Sequence, residues 1–226
     1  MSAADWALIG LSLRVAVVAV AVSLPLCILV AVALARGRFV GHGALNILVH
    51  LPLVLPPVVT GYLLLVVFGA EGPLGRILEP LGLGVAFRWT GAALAAAIMA
   101  FPLIVRAIRL AVEAVDPKIE EAASTLGAGR LRVLFTVTLP LAAPGVLAGM
   151  VLGLAKALGE FGATITFVSN IPGQTQTLPT AIYAALQIPG QEPAALRLIV
   201  ISIAISAAAL IASEWLAARQ KSRWAR

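Results

Sequence analysis

Long apolar runs dominate this chain, and its polar positions gather between them. Five runs reach or approach the ~20 mostly apolar residues that a helix needs to cross a hydrocarbon core: residues 11–35, 47–69, 90–105, 145–168 and 196–217. The third is short unless it extends back through residues 85–89. The first is long enough to tilt, or to begin with an interfacial turn at Trp6. The pattern predicts an all-α integral membrane protein with about five transmembrane helices, forming one transmembrane domain over residues 1–226. The stretch around Trp6, or residues 172–193, leaves room for a sixth, interfacial or re-entrant helix.

Composition strengthens this reading. Of 226 residues, 61% are hydrophobic and 12% are charged, with a mean hydropathy of +1.05. A soluble domain carries about one-quarter charged residues and needs them to cover its surface, so lipid is the solvent that fits. The 14 prolines and 20 glycines are no objection, because buried membrane helices tolerate both. Ala33-Leu34-Ala35 looks like a signal cleavage site, but the run before it is longer than a signal's apolar region, and no basic residue precedes Arg14. Arg36 and Arg38 follow at once and read as a cytoplasmic anchor on a retained helix.

The formal charge is +6, from 16 Lys+Arg against 10 Asp+Glu. On a soluble protein this would suggest nucleic acid. Here the basic residues cluster at the ends of apolar runs, so no nucleic-acid partner is expected. Residues 36–46, residues 106–138 and the tail from Arg219 hold eleven Lys and Arg, and the alternate segments hold two (Arg76 and Arg88). The positive-inside rule then puts the N-terminus outside and the C-terminus in the cytoplasm, a parity that five spans satisfy. The tail at residues 219–224 reads as an interfacial anchor on anionic membrane lipid. Cys27 lies inside an apolar run, excludes any intramolecular disulfide and reads as packing. His42, His50 and one cysteine make no metal site, and no glycine loop of the Walker type is present. This chain is therefore expected to bind no metal or cofactor and not to hydrolyse ATP itself.

The segment between the third and fourth runs, about residues 106–140, is the most informative. Asp116-Pro117 is a strong helix start, because Asp caps and Pro suits the first helical position. Glu120 and Glu121 fall near the positive end of that helix dipole. The helix, residues 117–126, stops at Gly127-Ala128-Gly129, and a second basic helix over residues 130–138 leads to Leu139-Pro140. Two short helices meeting at a glycine elbow can dock into a groove on another protein. They can equally form a solvated amphipathic hairpin on the membrane surface.

Glu121-Ala122-Ala123, Gly127 four residues on, then Val137-Thr138-Leu139-Pro140 after nine more resembles the EAA loop of ABC-importer permeases. Val137 stands where Ile is more usual. Three further stretches resemble molybdate permeases: His50-Leu51-Pro52-Leu53-Val54-Leu55-Pro56-Pro57-Val58-Val59-Thr60-Gly61-Tyr62, Phe101-Pro102-Leu103-Ile104-Val105-Arg106, and Gly159-Glu160-Phe161-Gly162-Ala163-Thr164-Ile165-Thr166 through Pro172-Gly173. Sulfate and tungstate permeases share parts of these patterns. The resemblance implies a type I ABC importer permease core in a bacterial cytoplasmic (inner) membrane. It implies a homodimer with the pathway at the two-fold interface, a cytoplasmic ABC ATPase dimer below and a periplasmic molybdate-binding protein above. It makes Glu121, Ala122, Ala123, Gly127, Ala128 and Gly129 the ATPase-coupling residues. Its implied substrate is molybdate, with tungstate or sulfate and thiosulfate as alternatives.

Polar groups inside spans are functional candidates by default. Lys156 and Glu160 lie four apart in the fourth run and are expected on one helix face, as a mutually neutralising pair or as part of a pathway or gate. Thr164 and Thr166 offer hydroxyls just beyond, either bonded back to their own helix or facing a passage. Pro52, Pro56 and Pro57 should kink or unwind the second span, with Thr60 just after the break. A broken helix can expose backbone groups to a substrate, or be bent packing. His50 reads as an interface residue. A non-transporting membrane scaffold, an intramembrane enzyme and a gradient-driven secondary transporter are the rival classes. The sequence shows no paired catalytic groups for the enzyme and no repeat for the secondary transporter.

Overall fold

The computed structural model describes the backbone of residues 3–224 and the side chains of residues 4–211, so the 219–224 anchor lies outside the described side chains. Among the described residues every element is helical. Helix α1, Ala3–Arg36, is about 51 Å long and exceeds the ~30 Å core of a bilayer. It is helical through Trp6, which is exposed, rather than opening with a separate interfacial turn. The second apolar run is two helices, α2 (His42–Val54) and α3 (Pro57–Phe68), bent by 114° where they meet. The short α4 (Gly75–Leu78) follows in the connection to α5, Trp89–Glu113.

Helix α5 is the hub, packed chiefly on α1 and on α8 (Leu139–Leu158). Small residues let those neighbours come close. Ala92, Ala93, Ala95, Ala96 and Ala100 of α5 are buried, and Ile104, Val105, Ile108 and Val112 continue the same core. A row at spacing four on α8 (Gly145, Gly149, Gly153) packs on α5, with Gly149 and Gly153 against Ile104. Cys27 is fully buried in the core shared by α1 and α5. The third span differs from expectation by running forward, through Arg106 and Arg109 to Glu113, instead of back through residues 85–89. Charged side chains at that end do not stop a helix whose opposite face is still buried at Ile108 and Val112.

The remaining elements are α6 (Pro117–Thr125), α7 (Arg130–Val133), a π-helical turn at Leu134–Thr138, α9 (Gly162–Val168), α10 (Leu178–Leu186) and α11 (Glu192–Trp224). The extra helix anticipated within residues 172–193 is α10, nine residues long and too short to cross a membrane. Among the described residues four helical runs are long and apolar enough to span, and the count is five when the bent α2–α3 pair is taken as one span. One of the four is Arg130–Leu158, in which α7, the π turn and α8 form a continuous rod. The second short helix expected after the glycine elbow is therefore the start of the fourth span. The fourth span also ends sooner than expected, at Leu158, and residues 162–168 form the separate α9.

Candidate functional site: two helix breaks and an exposed loop

The break in the second span follows from its prolines. Pro56 and Pro57 have no N–H to donate, so the α2 ladder closes with Leu55 N–H on Leu51 O, and α3 starts afresh with Pro57 at its first position. The break in the fourth span has a different origin. Gly159 ends α8, and Glu160 lies beyond it rather than on the helix face shared with Lys156. The pair forms nonetheless: Lys156 Nζ donates to Glu160 Oε2 at 2.7 Å. The other carboxylate oxygen, Oε1, accepts from the N–H of Ala163 at 3.0 Å and so satisfies a donor in the first turn of α9. Glu160 is 3% exposed. It both neutralises a lysine at the end of one helix and caps the next.

The two breaks are packed against each other, because α3 lies on α9. Gly61 presses its backbone onto α9, and a Cβ there would stand 2.5 Å from Ala163 O and 2.9 Å from Thr166 Cβ. Gly162 is similarly close to Pro57. The contact thus brings together Pro57, Glu160 and Thr166, with the buried Thr60 and Thr164 on the same two helices and Lys156 joined through Glu160. Pro56 stands at the exposed edge of the break. Thr166 Oγ1 bonds back to Gly162 O at 2.9 Å, the local alternative. Thr60 Oγ1 is buried with no hydrogen-bond partner. His50 hydrogen-bonds Asn46 O within α2.

In the 106–140 segment, Asp116 caps α6 by accepting from Lys118 N–H at 2.9 Å, with Pro117 first in the helix. The elbow is Gly127, whose φ of +87° is a left-handed conformation that glycine adopts without strain. Glu121, Ala122, Gly127 and Gly129 are exposed, and Ala123 and Ala128 are half-buried. No residue of α6 is fully buried. The residue that ties α6 down is Glu120. Its Oε1 accepts from Thr138 Oγ1 at 2.7 Å and from Arg36 Nη2 at 3.3 Å. Arg36 Nε lies 3.2 Å from Oε2, close enough for an ion pair but not aligned as a hydrogen bond. Arg36 Nη2 also donates to Val115 O at 2.8 Å. Three distant segments meet on one carboxylate: the end of α1, the first turn of α6 and the π turn.

That π turn has a local cause. Leu139 N–H reaches back five residues to Leu134 O, and the next residue, Pro140, has no N–H with which to continue an α ladder. The widened turn carries Thr138, 3% exposed, toward Glu120. Sequence reasoning placed Glu120 only on the helix dipole and gave Arg36 only an anchoring role. Spacing cannot reveal a contact between residues 84 apart in the chain.

These features define a polytopic, all-helical membrane protein with two helix breaks and an exposed loop helix on a glycine elbow. Residues 13–222 match the family of the binding-protein-dependent transport system inner membrane component, and the chain belongs to it. The molybdenum transport system permease protein ModB of Escherichia coli (strain K12) is 56% identical over 220 residues, covering 97% of this chain and 96% of the relative. The protein of the same description from Haemophilus influenzae is 56% identical over 216 residues, covering 95% and 94%. A solved bacterial alginate ABC transporter, in complex with an alginate pentasaccharide-bound periplasmic protein, has a chain of like fold. Its TM-score is 0.76 at 17% identity, over 97% of this chain and 80% of that one. The all-α permease fold and the multi-pass membrane character expected from the sequence are both met. The relatives are transport subunits rather than enzymes in name.

Proposed function

We propose that this chain is the permease subunit of an ATP-driven importer that moves molybdate across the bacterial cytoplasmic membrane. The observation that carries the reading is 56% identity, over nearly the full length of both chains, to relatives named for molybdenum transport. ATP is hydrolysed by a separate cytoplasmic ATPase dimer, and a periplasmic molybdate-binding protein delivers the oxyanion. The chain works as a homodimer, N-terminus outside and C-terminus inside, and binds no cofactor of its own. Glu121, Ala122, Ala123, Gly127, Ala128 and Gly129 form the surface that docks into the ATPase. Supporting that role, Glu121 and Ala122 on α6 and Gly127 and Gly129 at its elbow are exposed, and the side chain that bonds α6 to the spans is Glu120. Motion imposed on α6 then reaches α1 through Arg36 and the fourth span through Thr138.

Inside the membrane, the contact between the two broken spans is the candidate gate: Pro56, Pro57, Thr60, Lys156, Glu160, Thr164 and Thr166. Glu160 would repel an oxyanion if it faced the pathway unpaired. Its bonds to Lys156 and Ala163 N–H make it a pin that holds the gate helices.

Uptake of molybdate in cells lacking only this chain, with and without its restoration, tests the reading. Restored uptake that tungstate blocks and sulfate barely touches is expected. Loss of sulfate uptake instead would overturn the substrate, and no change in either would favour a scaffold. Glu121→Lys or Gly127→Pro should abolish uptake while the chain still inserts, and wild-type uptake by either variant would sink the docking assignment.

A further inference from the structure

Arg14 and Arg36 bracket the apolar part of α1 and stand about 33 Å apart along the helix axis, close to the thickness of a hydrocarbon core. With Arg36 at one membrane surface, Arg14 lies at the other. Its guanidinium is 3.8 Å from the centroid of the Trp89 ring, and no carboxylate pairs with it among the described residues. Trp89 opens α5, where no side chain caps the free N–H groups of the first turn. Beside them is a cavity of about 580 Å³, lined by Arg14, Arg88, Trp89, Thr90 and Gln174 and walled by leucine, valine and glycine. Arg88 donates to Gly82 O at 3.4 Å and faces Glu79 at 3.9 Å, so it is only loosely engaged.

The rim is apolar and open. Leu83, which lines the cavity, is 61% exposed, and Leu81 and Phe87, each next in sequence to a lining residue, are 66% and 50% exposed. Phe87 holds a φ of +56°, a left-handed conformation that a bulky residue rarely adopts. An unpaired cation over an indole, an open helix start and a greasy rim at the membrane boundary have a common explanation.

We propose that this cavity binds the phosphate of an anionic phospholipid, with Arg14 and Arg88 on the phosphate oxygens and the acyl chains leaving over Leu83 and Phe87. A free tetrahedral oxyanion would meet the same guanidinium groups. The apolar rim, which such an ion cannot use, is what favours the lipid. The leaflet is the outer one if the orientation given under Proposed function is right, but the site itself does not depend on it.

Native mass spectrometry of the full-length chain, titrated with phosphatidylglycerol or phosphatidylcholine, tests this. Phosphatidylglycerol should be retained preferentially, and Arg14→Gln should weaken that retention about fivefold, the effect of one interfacial cation on an anionic lipid. Arg76→Gln removes a charge from the same connection but outside the cavity, where Arg76 pairs with the exposed Glu71, and should change nothing. Should Arg14→Gln fail to fold, Arg88→Gln, on an exposed side chain, must give the loss. Equal retention of the two lipids, or an equal loss with Arg76→Gln, would overturn the site. Displacement of phosphatidylglycerol by excess inorganic phosphate would overturn the lipid and leave an oxyanion site.

Discussion

Two glutamates, Glu120 and Glu160, organise the two halves of this molecule, and they do so under opposite conditions. Glu160 is 3% exposed, and its partners are close in sequence: Lys156 four residues before, Ala163 three after. Glu120 sits at the edge of the bundle with a side chain 19% exposed, and its partners lie 84 residues before and 18 after. The first is a local device that breaks a helix and restarts it. The second is a tertiary knot that binds a loop to two spans. A buried carboxylate bonded close in sequence cannot come apart from its partners without opening the core. A part-buried carboxylate that joins distant segments can strain or part while each segment stays folded. The first suits a fixed pin, the second a joint that carries motion.

Removing each carboxylate measures that difference. Glu160→Ala leaves Lys156 without its counter-charge and α9 without its cap. It should cost about 2–3 kcal/mol in denaturation of the detergent-solubilised chain, below the 3–5 of a fully buried pair because Lys156 keeps 30% exposure. A loss no larger than at Glu120 would erase the contrast. Glu120→Gln keeps an acceptor for Thr138 but loses the charge facing Arg36. The expected cost is about 1 kcal/mol, since both partners are partly solvated, together with a fall in transport out of proportion to that loss. Unchanged uptake would reduce the knot to ordinary structural packing. The smallest effect is expected at Thr60, where Thr60→Val removes a buried hydroxyl with no partner. The chain should become slightly more stable, by less than about 1 kcal/mol. If it is destabilised instead, the hydroxyl has a partner, and the gate reading loses its unmet polar group.

Legibility in the sequence followed the range of each interaction. Asp116-Pro117 and Gly127 state their own geometry, and the cap and the left-handed elbow fall at those residues. Pro56-Pro57 likewise announces the break of the second span, although nothing local gives its 114° angle. The fourth span was harder. Gly159-Glu160 sits inside an unbroken apolar run, so hydropathy carried the helix on to residue 168. The chain breaks there because a buried carboxylate satisfies the N–H that the break frees. The third span ran longer than its apolar stretch because burial on one face sustains a helix past Arg106 and Arg109. Arg109 is held there by Glu113 at 2.7 Å and by Asn46 of α2 at 2.9 Å. Those partners come from tertiary packing and have no signature in the run of residues.

The sharp bend between α2 and α3 also bears on how the chain is made. Each arm is only about 18–20 Å long, too short to cross a bilayer alone. Nor can α3 take its final seat early, since the backbone it rests on, at Ala163, belongs to the second half of the chain. During synthesis the bent pair must wait in the bilayer, prolines and uncapped ends exposed, until α9 arrives. Biogenesis therefore has a late step, the docking of an early segment onto a late one, and slowing that step should hand the half-finished chain to quality-control proteases.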